Sequence, residues 1–241
     1  MAINHVFKET TDFYTIVTPV SNITTRPILD NITAVNDYGM NGGFFHSPNG
    51  YSNPPTESLS IGWSSIYGDH GSTNAYGNKS RGTVVIFEDY FDNYNLKAGI
   101  VRATSIDDIK NQLGHNHRYK AMIGGGSLSL GISSDTTWKD TVHASEDWTA
   151  LFPSVAYTAR SCLGLKISGG QYYAFLTISK GVSSLYACRS YLTSEGCFDG
   201  IFLDGNGSAQ MRCLKNDNVN IFVEDGDGRK IWNIVTLINK S

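Results

Sequence analysis

Four short segments hold the side chains able to do chemistry. In Asn41-Gly42-Gly43-Phe44-Phe45 a carboxamide precedes two residues without side chains, so backbone amides can approach a ligand while the rings anchor the turn. His46 follows directly and belongs beside any site formed there. Gly124-Gly125-Gly126 follows an apolar run and has the permissiveness of a phosphate-cradling loop. Arg160 and Ser161 open an apolar strand, and the planar fork of Arg matches phosphate or carboxylate where Lys offers a point charge. In Leu203-Asp204-Gly205-Asn206-Gly207-Ser208 an apolar strand emerges into a carboxylate, with glycines that keep side chains clear of whatever binds. Taken singly, each segment also has a plain structural reading: a glycine turn, a flexible loop, a surface Arg, an Asp-Gly turn.

Other chemistry finds less support. Asp199 lies five residues before Asp204, and odd spacing on a strand sends two side chains to opposite faces, so the pair is not expected to act as acid and base. His115 and His117 are close, yet no carboxylate or cysteine stands at a ligand spacing, so they read as a solvated loop and no metal is expected. The glycine run lacks the Lys and Ser/Thr of a P-loop and the spaced glycines of a dinucleotide fingerprint, so no cofactor is expected. Cys162, Cys188, Cys197 and Cys213 include no C-x-x-C pair and read as small buried apolar residues.

The elements that must position these segments are mostly strands. Residues rich in Val, Ile, Phe, Tyr and Thr predict strands over 12–18, 83–88, 99–104, 161–167, 172–178, 200–204, 219–224 and 231–236. Gly169 and Gly170 predict a tight hairpin between two of them. Helices are expected over 105–113, with Ser105 as cap and Gly114 as stop, and over 183–195, where Leu185, Cys188 and Leu192 share a face, Ser183 caps and Gly196 ends. The second helix is placed to act as a crossover between parallel or mixed neighbours. Residues 47–81 read as a long irregular surface loop, of the kind that is either functional or mobile. These signals predict an α+β fold: one domain over 1–241 with mixed, strand-rich sheets and a few helices.

Composition bounds the function. The chain has 241 residues, 40% hydrophobic and 12% aromatic, with 25 glycines against 6 prolines, the profile of a folded domain with many turns. A net charge of -3 gives no global attraction to nucleic acid or anionic membrane, so any anionic ligand must be held locally. No apolar run approaches the roughly 20 residues that span a bilayer, and the N-terminus lacks the apolar core of a secretory signal. A cytoplasmic location is the expectation.

Together the four segments, in this order, resemble the phosphodiester glycosidase family. The similarity runs from about Val35 to Cys213, through Asn41–Phe45, Gly124–Gly126, Arg160–Gly164 and Leu203–Ser208. Two departures stand out. Asn206 takes the place of a usual glycine, and Ser179-Lys180-Gly181 stands where the family often has Asp-Gly-Arg. Asn adopts the left-handed backbone conformation better than most residues, so the first departure need not break the loop.

The resemblance implies hydrolysis of a glycosyl-phosphate bond in a sugar phosphodiester, either a small molecule or a glycan. For that reaction, in which positive charge grows on the sugar and negative charge returns to phosphate, Asp204 is expected to face the sugar cation, Arg160 to clamp the phosphate and Asn41 to fix a sugar or phosphate oxygen. Amides at Gly42, Gly43, Gly205 and Gly207 and the Ser208 hydroxyl become supplementary donors, with Gly125, Ser161 and Asn206 close by. The alternatives are a non-catalytic module that binds a phosphorylated sugar or nucleotide, and an interaction protein on a degenerate glycosidase scaffold.

Overall fold

The structure is a computed structural model describing residues 5–74, 79–148, 158–216, 218–224 and 229–239. Tyr157 and residues 75–78 of the expected loop lie outside the described residues. The fold is α+β and strand-rich.

Three sheets share the main core. The first, six-stranded, runs in the order Val6–Glu9, Phe13–Pro19, Gln171–Ser179, Ser161–Ser168, Asp199–Phe202 and Gly126–Ser127. The second is five-stranded: Asn95–Ala103, Arg81–Asp89, Arg118–Gly124, Gly62–Ser64 and Gly68–Gly71. The third, also five-stranded, is Asn218–Val223, Gln210–Lys215, Gly39–Asn41, Ile231–Leu237 and Ile23–Asp30. A two-stranded ribbon, Phe45–His46 with Glu57–Ser58, completes the pairing.

Side-chain alternation explains the layering. Along Ser161–Ser168, Leu163 and Leu165 enter a core shared with Val84, Ile123, Met40 and Val235 from the other two sheets. Cys162 faces the opposite way, into a second cluster with Phe175, Phe202 and the helix Leu185–Ser194. Helix Ile106–Leu113 covers the outer face of the second sheet through Ile106 and Ile109. Burying each such aliphatic side chain contributes on the order of 1.5–3 kcal/mol.

Every sheet pairing among the described residues is antiparallel, which corrects the expected mixed direction. The helix Leu185–Ser194 does connect two parallel strands, Gln171–Ser179 and Asp199–Phe202. They are not neighbours, because Ser161–Ser168 pairs antiparallel to both and lies between them. Its N-cap is Ser184, whose hydroxyl accepts from Ala187 N, rather than Ser183; Gly196, at φ +79°, ends it as expected. Ser105 and Gly114 cap the other helix as read from sequence.

The hairpin at Gly169 and Gly170 forms with both residues at positive φ. Residues 47–74 are less irregular than expected. They contribute three short strands and bury Ser60 and Ile61, because Ile61 N bonds to Asn74 and Gly124 N to Ile61 O. The four cysteines are free and buried. No helix among the described residues is long and apolar enough to cross a membrane.

Candidate active site

The four segments meet at one end of the first sheet, tied mainly by main-chain hydrogen bonds. Leu203 N donates to Ser161 O (2.8 Å), Asn206 N to Ala159 O (2.7 Å), and Asp204 N to Gly42 O (3.2 Å). Asn41 sits at the junction, 1% exposed. Its Nδ2 donates to Asp204 O (2.6 Å) and Gly42 O (3.3 Å), and its Oδ1 accepts from Ser161 Oγ (2.7 Å) and Gln210 N (3.3 Å). Both ends of the carboxamide are committed to the protein. Through these bonds Asn41 holds the Asp204 loop against Ser161.

Asp204 opens onto a cavity of about 310 Å³. Phe44, Phe45, Tyr51, Leu59 and Trp148 form its apolar wall, and Asp204, Arg229, His46, Ser47 and Asn206 supply polar groups. Gly205 completes the lining; a Cβ there would stand 2.6 Å from Ala159 O, so only glycine lets the loop lie flat on that strand end. Asn206 takes φ +58°, the left-handed conformation anticipated for it. The Arg229 guanidinium lies 3.8 Å above the Tyr51 ring, and Lys230 N donates to Tyr51 O (3.0 Å), fixing the flank of the cavity.

Of the residues singled out in sequence, Asp204, His46, Gly205 and Asn206 line this cavity. Arg160 does not. It is 4% exposed, and its burial opposes the charged form. Its main chain exchanges hydrogen bonds with Ser179. Arg160 therefore lies behind this cavity, because the alternation that turns Cys162 toward the helix turns Arg160 the same way.

Gly42 and Gly43 are close-packing positions, pressed against Asn233 and Ser60 respectively. Gly125 lies against the main chain of Phe202, and Gly207 and Ser208 are buried behind the loop. Asp199 accepts from Gly200 N and Leu130 N at the far end of its strand, where burial pushes its carboxyl above the usual range; it is not paired with Asp204.

Three further groups shape the site and escaped the sequence reading. Glu146 is fully buried and accepts from Gly82 N (3.1 Å), Ser127 N (2.9 Å) and Trp148 Nε1 (2.8 Å), with Arg102 Nε at 3.1 Å. Burial pushes its carboxyl up, the donors notwithstanding. It locks Trp148 to the cavity wall and to the glycine run, with Arg81 stacked 4.2 Å over the indole. Gln210 ties the third sheet to Ile32 N and to Arg229 O. Arg229 had a legible signal: residues 227–229 spell Asp-Gly-Arg, the tripeptide missing from Ser179–Gly181. Glu146 had none, since the acidic pair Glu146-Asp147 after Ser145 has no catalytic or ligand spacing.

Wider hollows of about 520 and 470 Å³ lie at the other end of the sheets and contain none of the motif residues. No group of three or more His, Cys, Asp or Glu among the described residues is arranged to hold a metal.

No protein-family model and no curated protein matches this sequence. Among solved structures, the catalytic domain of zebrafish N-acetylglucosamine-1-phosphodiester α-N-acetylglucosaminidase, auto-inhibited by its pro-peptide, superposes with a TM-score of 0.61 at 15% identity. The match covers 98% of this chain and 82% of that one. The fold is similar to that of a phosphodiester glycosidase catalytic domain. At this identity the likeness is one of fold. A hypothetical protein from Synechocystis matches at TM-score 0.48 and 11% identity, over 97% of this chain and 61% of its own. A putative exported protein from Burkholderia pseudomallei matches at 0.33 and 12%, over 94% and 54%.

Proposed function

We propose that this chain is a hydrolase that cleaves the bond between a sugar's anomeric carbon and a phosphodiester oxygen, in a glycan, nucleotide sugar or modified nucleotide. The observation that carries the reading is the joint presence of Asp204 and Arg229 on the wall of one aromatic-lined cavity. Its volume is at the lower end of the range for small-molecule sites. The fold shared with a phosphodiester glycosidase domain supports the same reaction class.

The chemistry follows from charge. Breaking the glycosyl bond develops positive charge on the sugar and returns negative charge to phosphate. Asp204 faces the first and Arg229 the second, each in a partly desolvated wall where such interactions strengthen. The departing group is a phosphate monoester, a weak base that takes the electron pair of the broken bond, so no strong general acid is required; water supplies the hydroxyl to the anomeric carbon and its proton passes to solvent or to the released phosphate. Phe44, Phe45 and Trp148 exclude water from the apolar face of the sugar, while Tyr51 packs on the face of the Arg229 guanidinium and fixes where that charge stands on the wall.

The test is release of free sugar, read by mass spectrometry, from a panel of nucleotide sugars and sugar-1-phosphodiesters. Asp204→Asn lowers turnover at least about a hundredfold with folding preserved. Arg229→Lys keeps charge but loses the fork, and lowers kcat/KM roughly 10- to 100-fold. Near-normal turnover by Asp204→Asn refutes the assignment. Asp204 is the sole carboxylate lining the cavity among the described residues, which favours the second reading, binding without turnover. Multiple turnovers per chain exclude that reading.

A further inference from the structure

The hollow of about 520 Å³ lies where the hairpin turn at Gly169 and Gly170 approaches the turn joining Arg81–Asp89 to Asn95–Ala103. Seven residue steps along Ser161–Ser168 separate it from the Arg160 end, roughly 23 Å at strand rise, so it is remote from Asp204. Its polar lining is Ser21, Asp92, Asn95, Lys97 and Gln171, and its aromatic is Tyr172.

The hydrogen bonding in this lining is already oriented. Asn95 Nδ2 donates to Asp92 Oδ1 (3.2 Å), which leaves the amide oxygen as an acceptor. Gln171 Oε1 accepts from Tyr173 OH (3.0 Å), which leaves the amide nitrogen as a donor. The lining therefore offers both an acceptor and a donor, the two partners that a hydroxyl can use. Lys97 is held by two carboxylates, Asp89 (2.8 Å) and Asp92 (3.0 Å), so the site carries no net positive charge and disfavours phosphate. The Tyr172 ring is braced edge-on by Phe198, centroids 6.3 Å apart.

We propose that this hollow binds a neutral oligosaccharide, as an accessory site separate from the Asp204 cavity. The Asn95 amide oxygen and the Gln171 amide nitrogen can each bond a hydroxyl, and the Tyr172 ring can take the apolar face of a sugar ring. An uncharged chain, not a phosphorylated one, is the class that fits the charge.

The full chain, isotope-labelled, is titrated with cellohexaose, maltohexaose and hexa-N-acetylchitohexaose, following amide shifts at Asn95 and Gln171. Saturable binding of at least one is expected. Asn95→Ala and Gln171→Ala, both at exposed positions, each weaken it about 5- to 10-fold. Tyr172→Phe keeps the ring and stays within about twofold, whereas Asp204→Asn binds like the parent. Absence of saturable binding to all three sugars overturns the proposal, as does unchanged affinity in an Asn95→Ala/Gln171→Ala double variant. Loss of binding in Asp204→Asn places the sugar in the other cavity and also overturns it. The outcome is independent of whether Asp204 catalyses anything.

Discussion

Replacing Asn41 by Ala separates a residue that touches substrate from one that builds the site. The substitution removes four hydrogen bonds, two of them short: Nδ2 to Asp204 O at 2.6 Å and Ser161 Oγ to Oδ1 at 2.7 Å. Gly42 O keeps a second donor in Asp204 N, so its loss is small, and the 3.3 Å contact from Gln210 N is weak. Leaving the two short-bonded partners unsatisfied costs on the order of 1–3 kcal/mol each, or about 2–6 kcal/mol together. For a chain of this length that shifts Tm by roughly 5–20 °C. Asn41→Asp keeps the acceptor but turns a carboxylate oxygen toward two carbonyls, and is expected to be at least as destabilising at neutral pH. Thermal unfolding by circular dichroism measures both, and an Asn41/Ser161 double-mutant cycle should return a coupling of about 0.5–3 kcal/mol. If Asn41→Ala melts within 2 °C (roughly the scale of 1 kcal/mol) of the parent yet loses turnover, the positioning role is wrong and direct substrate contact is restored.

Three other outcomes follow from the same geometry. Glu146→Gln turns an amide toward backbone and indole donors and should lose about 2–5 kcal/mol in urea unfolding. Burial raises the folded pKa of Glu146 above its ordinary 4.5, so its contribution is complete below that pH and declines as pH rises through the folded value. The gap between parent and Glu146→Gln should therefore narrow with rising pH, and a widening gap contradicts the account. Gly125→Ala places a Cβ 2.2 Å from Phe202 O and should cost several kcal/mol or abolish soluble expression, while Gly99→Ala, with open space around it, should be tolerated. Asn206→Val, forced to φ +58°, should lose about 1–2 kcal/mol that Asn206→Gly does not, read as a difference in melting temperature.

Much of the scaffold was legible because its strands are long and apolar on at least one face. Ser161–Ser168, Gln171–Ser179 and Ile231–Leu237 announce themselves by β-branched and aromatic runs, and the two main helices by caps and spacing. Gly39–Asn41 and Gly62–Ser64 carry no such signal. They are strands because neighbouring strands satisfy their main chain, which is a property of the assembled sheet. The antiparallel direction of every ladder among the described residues was equally invisible, since a crossover helix fits two strands that flank a third as well as two that touch.

The site divides in the same way. Local sequence determined that Asp204 would end an apolar strand among glycines and that Asn206 could take a left-handed turn. Which side chains face the cavity was decided by alternation and register: Arg160 turned inward with Cys162, and Asn41 was consumed by the Asp204 loop. Arg229, Trp148 and Tyr51 come from segments tens of residues away, and only packing brings them to Asp204. Spacing along a chain sets which groups are close in sequence; the tertiary hydrogen bonds and the direction of each strand face set which of them a ligand can reach.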